Sequence, residues 1–125
     1  MAVPRISKEE LKQRLDGPAE SLPAILDARL KYPYEHSTVT LPGAIRFVPG
    51  QTDTTRFSSQ REIVVYDSDP GEIVSARVAS QLIRLGFRAM ALTGGIADWM
   101  NAKLPTDTKS APQAAAPMAP GALKG

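Results

Sequence analysis

Ile63-Val64-Val65-Tyr66, then Asp67-Ser68-Asp69-Pro70-Gly71-Glu72, then IVSARVASQLIRL from Ile73 to Leu85: this stretch decides the fold. Four consecutive β-branched or aromatic residues read as a strand buried on both faces. Pro70 and Gly71 mark a turn. The following run places Val74, Val78, Leu82 and Leu85 on one stripe, the spacing of an amphipathic helix, and Gly86 stands where a helix end wants positive φ. A strand that passes through a short loop into a helix is the unit of a parallel α/β sheet.

The flanks repeat the pattern. Upstream, Ser7 with Glu10 has capping-box spacing, and Ile6, Leu11 and Leu15 give an apolar face, which predicts a helix over 7–15. Gly17-Pro18 ends it. Ala24 to Ala28 reads as a short buried strand, 30–40 as a polar loop with one helical turn, and Ala44 to Val48 as a second strand after the Leu41-Pro42-Gly43 turn. Residues 49–62 read as a surface connection anchored by Phe57. Downstream, Ala89 to Leu92 reads as another strand, and Gly94-Gly95 opens a last helix to about Ala102, anchored by Ile96 and Trp99. The expectation is a single α/β domain over 1–105. Thr106 to Gly125 is rich in alanine and proline with few large apolar residues, so 106–125 reads as a disordered tail.

Bulk composition narrows the function classes. The chain has 125 residues, 42% apolar and 22% charged, with fifteen basic and thirteen acidic residues for a net charge of +2. That balance, without runs of like charge, gives no support to nucleic acid as partner. No segment approaches the roughly 20 apolar residues that span a bilayer, and MAVPRISKEE lacks the apolar core of a signal peptide, so no membrane association and a cytoplasmic location are expected. There are no cysteines. Disulfides, thiolate metal sites and cysteine nucleophiles are all excluded.

In a parallel α/β sheet, ligands bind beyond the carboxyl ends of the strands. The candidate site is therefore the loop Asp67, Ser68, Asp69, Pro70, Gly71, Glu72 and Ile73. Unpaired amides at a helix start and the helix dipole make such a loop an anion cradle. The alternative is that Asp67 and Asp69 simply cap the helix and tighten the turn. Both readings stand. Asp67, Asp69 and Glu72 also supply oxygen ligands for a divalent cation, but loop carboxylates cluster by chance often enough that no metal and no cofactor is expected. His36, in a polar loop, reads as solvated, and Trp99 as core.

Several segments together resemble the rhodanese-like domain: LDAR (Leu26 to Arg29), LPGAI (Leu41 to Ile45), VVYD followed by SARVA, and GGIADW (Gly94 to Trp99). The resemblance covers about residues 5 to 105 and implies a mostly parallel five-stranded sheet with helices on both faces. YDSDPGEIVSARVA is similar to a subgroup whose loop reads Cys-x-Cys-Pro-x-Glu; Pro70, Glu72, Ser75, Ala76 and Arg77 match it. The family's nucleophilic cysteine then falls on Asp67 and the subgroup's second cysteine on Asp69. Rhodanese chemistry passes sulfur through a cysteine persulfide stabilised by the loop amides, and a carboxylate has no route to that intermediate. The loop also lacks the arginine that often holds the donor's sulfonate, and the histidine that often precedes Leu-Pro-Gly-Ala is Thr40 here.

The resemblance thus implies no catalytic residue and a binding, sensing or regulatory module, with a protein as partner. An ionised Asp67 would fill the cradle itself and, with Asp69 and Glu72, disfavour small anions. Asp27 and Arg29 are expected as a supporting ion pair near the pocket. Arg77 is expected to pair with Asp27, Asp67 or Glu72 in a structural role. Two enzymatic alternatives remain. Asp67-x-Asp69 after an apolar strand looks like the Asp-x-Asp motif of haloacid-dehalogenase-like phosphatases, which work with Mg²⁺. The other is residual sulfur transfer.

Overall fold

The computed structural model describes residues 3–50, 54–55, 57–68 and 71–109. Five strands form one parallel sheet: β1 (Arg5–Ile6), β2 (Ala24–Asp27), β4 (Ile45–Arg46), β5 (Glu62–Tyr66) and β6 (Arg88–Leu92), in the spatial order β1-β6-β5-β2-β4. Register pairs Asp27 with Tyr66 across β2 and β5, and Val65 with Ala91 across β5 and β6. Helices α1 (Lys8–Asp16), α2 (Lys31–His36), α3 (Ile73–Arg84) and α4 (Gly95–Asn101) connect or cover them. A five-stranded α/β sheet was expected, and the sheet is parallel throughout.

The sheet alternates its side chains between two cores. Leu26, Ile63 and Val65 pack with Val78, Ala79 and Leu82 of α3 on one face. Ile25, Val64 and Tyr66 pack with Leu11 of α1 and with Ile96 and Trp99 of α4 on the other. Both faces are covered, so the central strands are apolar at nearly every position. Phe57 packs on Phe47 and Phe87 with ring centroids 6.0 and 6.4 Å apart, closing the edge of the α3-side core.

Local signals explain the helix ends. The Ser7 hydroxyl accepts from the Glu10 amide at 3.0 Å, and the Glu10 carboxylate accepts from the Ser7 amide at 3.0 Å, completing the capping box. Gly86 follows α3 at φ +98°. Gly94, before α4, sits at φ +80°, and a Cβ there would lie 2.6 Å from the Asp98 Cβ.

Four expectations need correction. Leu85 is 56% exposed; the buried stripe of α3 is Ser75, Val78, Ala79 and Leu82, so Leu85 lies outside it. Residues 30–40 hold a six-residue helix, where Pro33 falls in the first turn and displaces no helical hydrogen bond. The strand expected over 44–48 is only Ile45–Arg46 at the sheet edge. Finally, the domain does not stop at Pro105. β7 (Asp107–Thr108) pairs antiparallel with β3 (Val39–Thr40), the Lys109 amide donates to Thr38 O at 2.8 Å, and the Gly43 amide donates to the Asp107 carboxylate at 2.9 Å. The rest of the expected tail, 110–125, lies outside the described residues. Among the described residues no helix is long and apolar enough to cross a membrane.

Candidate functional site

The carboxyl ends of β2, β5 and β6 converge on two buried aspartates, Asp27 and Asp67, each 1% exposed. Asp67 is the first residue after β5. Its Oδ2 accepts a hydrogen bond from the Ser75 amide at 2.6 Å, and its carbonyl accepts from the Ile96 amide at 3.0 Å. Ser75 is the third residue of α3, whose own cap position, Glu72, makes no side-chain cap bond. Asp67 therefore caps α3 from eight positions upstream. A carboxylate on a first-turn amide gains from a charge-assisted bond and from the dipole of a twelve-residue helix.

Glu72 is bound differently. Its backbone is left-handed, φ +59° and ψ +32°, a conformation that costs a non-glycine residue about 1–2 kcal/mol. Two contacts hold it there. Arg5 Nε, on β1, donates to Glu72 Oε1 at 2.7 Å, and the Gly94 amide donates to Oε2 at 3.0 Å. Glu72 thus ties the loop to the sheet edge and to the turn before α4.

Asp27 has a cation for a partner. Arg29 donates from its amide at 3.1 Å, from Nε at 3.0 and 3.1 Å, and from Nη2 at 2.6 Å. Tyr66 Oη donates to Asp27 Oδ2 at 2.9 Å and accepts from the Leu41 amide at 3.3 Å. Arg46 Nη1 donates to Asp27 O at 3.1 Å and Arg29 O at 2.5 Å. Burial works against the Arg29 charge, but the Asp27 bonds outweigh it and hold its pKa above the ordinary arginine value. Burial dominates at Arg46 and lowers its pKa, with Asp27 pulling the other way. Tyr66 is pushed up, first by burial and then by the Asp27 charge, so its hydroxyl keeps its proton.

The structure therefore joins Asp27 with Arg29 and separates Arg77 from all three of its expected partners. Arg77 is exposed on the outer side of α3, and among the described residues it makes no ion pair. The reason is angular: Arg77 precedes the inward-facing Val78, and neighbours on a helix diverge by about 100°. Arg5 takes the place at Glu72 that Arg77 was expected to fill. Ser68 is half-buried, Gly71 and Ile73 are exposed, and Asp69 and Pro70 lie outside the described residues. Sequence reasoning missed Arg5, Tyr66 and Arg46. Only Tyr66 carried a signal, since a tyrosine closing an apolar strand brings a hydroxyl that needs a partner. His36 stacks on Tyr32 at 5.7 Å on the exposed side of α2.

Comparison with known proteins agrees with this geometry. The rhodanese-like domain family model matches residues 7–102, so the chain belongs to the rhodanese-like domain family. Its structure is similar to a full-length protein from Lactobacillus plantarum (TM-score 0.76, 23% identity, covering 84% of this chain and 88% of that one). It is also similar to a rhodanese-like domain protein from Staphylococcus aureus (TM-score 0.67, 24% identity, 86% and 99% covered). A thiosulfate sulfurtransferase from Pseudomonas aeruginosa shares the fold over 85% of this chain and 19% of that one, at TM-score 0.67 and 20% identity. At these identities the likeness is one of fold. No curated protein matches.

Proposed function

We propose that this domain is a non-catalytic binding module of the rhodanese-like family, derived from the subgroup with a Cys-x-Cys-Pro-x-Glu loop and carrying Asp67 at the nucleophile position. The observation that carries this reading is the buried Asp67 carboxylate on the Ser75 amide at 2.6 Å. In a working sulfurtransferase the loop amides stabilise the negative sulfur of a persulfide. Here an amide of the loop–helix junction is taken by the protein's own anion, and the chain has no thiol to carry sulfur. The same burial counts against the phosphatase alternative, because an attacking carboxylate must reach phosphorus in line and Asp67 is 1% exposed.

The test is sulfur transfer from thiosulfate to a cyanide acceptor, with Mg²⁺-dependent hydrolysis of a phosphate monoester run in parallel. Wild type is expected to match the protein-free control in both. Asp67→Cys, which restores a thiol at the mouth, is the positive comparison for the first assay. Turnover by wild type in either assay would overturn the reading.

A further inference from the structure

The outer face of α3 presents a feature that neither the sheet nor the loop uses. Every described arginine outside this helix finds an acceptor within the domain. Arg5 donates to Glu72, Arg14 to Glu62, Arg29 to Asp27 and Arg46 to the carbonyls of Asp27 and Arg29. Arg61 donates to the carbonyls of Leu22 and Pro23, and Arg88 to Gln60 O. Arg77 and Arg84 are the exceptions among the described residues. Both are exposed, and no acidic residue occurs anywhere in IVSARVASQLIR.

These two arginines line one groove of about 450 Å³ with Gln81 and Leu85. Ile73, Arg77 and Arg84 fall on one line of the helix, opposite Ser75, Val78, Ala79 and Leu82. Ile73, at the head of that line, is 61% exposed, and Leu85, beside the arginines in the groove, is 56% exposed, so the face carries apolar side chains that the domain leaves uncovered. At 1.5 Å per residue the two arginines stand about 10 Å apart along the axis.

We propose that the outer face of α3 is a docking surface for an acidic peptide segment that carries two carboxylates about 10 Å apart with apolar side chains beside them. Each guanidinium takes a carboxylate with two parallel hydrogen bonds, geometry that favours arginine over lysine. The apolar ends set the class of partner. Nucleic acid offers phosphates to the arginines and nothing to Ile73 or Leu85, and two cations neutralise too few phosphates to hold a duplex at physiological salt. The proposal deepens the binding-module reading and rests on it, while the sulfur-transfer assay tests that reading on different residues.

The experiment is fluorescence anisotropy of the full chain with a labelled peptide of Glu-Leu-Ser repeats, whose three-residue period in polyproline II form puts its carboxylates on one face about 9 Å apart. A Lys-Leu-Ser peptide and a short DNA duplex serve as comparisons. Binding of the glutamate peptide that weakens with salt supports the proposal, as does a loss of about tenfold or more in the Arg77→Glu, Arg84→Glu double variant. Both positions are exposed, so the melting temperature of that variant should fall by no more than the few degrees that a reversed charge in the last turn costs, which separates a lost contact from a lost fold. No binding to wild type, equal binding to the double variant, or tighter binding of the DNA would each overturn the proposal.

Discussion

Asp27 and Asp67 end neighbouring strands, are buried to the same degree, and are stabilised in opposite ways. Asp27 faces a full cation. Arg29 wraps it with four hydrogen bonds, and Tyr66 adds a fifth. Asp67 takes the Ser75 amide at the start of a helix. The first arrangement is a buried ion pair, in which each charge depends on the other. The second is a carboxylate held by a backbone amide at a helix start. A buried carboxylate needs partners for its oxygens, and these two positions display two kinds. In the proposed reading only the second occupies the nucleophile's place.

The largest effect is expected at the ion pair. Asp27→Ala leaves Arg29 buried without its counter-charge and should cost about 3–5 kcal/mol, read from urea denaturation. A loss near that of an ordinary surface substitution would mean that Arg29 swings out to water and that the pair is not obligatory. Tyr66→Phe comes next, since it strips a donor from Asp27 and leaves the buried Leu41 amide without its acceptor. The expected loss is about 1–3 kcal/mol.

Asp67→Asn keeps the side chain's shape and one oxygen but removes the charge at the helix start. Its expected cost is about 0.5–2 kcal/mol at neutral pH. An unchanged melting temperature would break the comparison, because Asp67 would then contribute no more than a neutral cap.

The smallest effect belongs to a third carboxylate, Glu62, half-exposed and paired with Arg14 at 2.5 Å. Hydrogen bonding to Arg14 lowers its pKa below the ordinary 4.5, against a weaker opposing effect of burial. The folded state thus holds its proton less tightly than the unfolded chain. The pair stabilises above the ordinary carboxylate pKa, and that contribution fades as pH falls through the lowered folded value. Glu62→Gln should cost less than about 1 kcal/mol at pH 7 and slightly flatten the acid limb of the stability curve. A larger cost would show that pairing alone, without full burial, can rival the site aspartates.

Much of this was legible in the sequence, and the limits have physical causes. IVVY, the Ser7–Glu10 box, Gly86 and the Gly94-Gly95 turn are local signals, and each element they predicted is present within a residue or two. Asp27 with Arg29 was expected from the resemblance that LDAR carries, and the two do pair at the strand end. β1 and β7 were not, since two-residue strands carry no period and exist only because partner strands lie beside them. The contact of Arg5 with Glu72 spans 67 positions and leaves no local trace. Arg77 was misplaced because closeness to the loop in sequence does not say which side of the helix a residue faces, and Arg77 sits beside the inward-facing Val78.

The most direct test of the self-filled loop is the backbone amide resonance of Ser75 in a ¹⁵N-labelled sample titrated with thiosulfate. A strongly downfield amide proton is expected, unmoved by thiosulfate in wild type and moved upfield in Asp67→Asn. A saturable shift of the Ser75 amide on adding thiosulfate to wild type would contradict it, because the loop would then still be open to the family's donor.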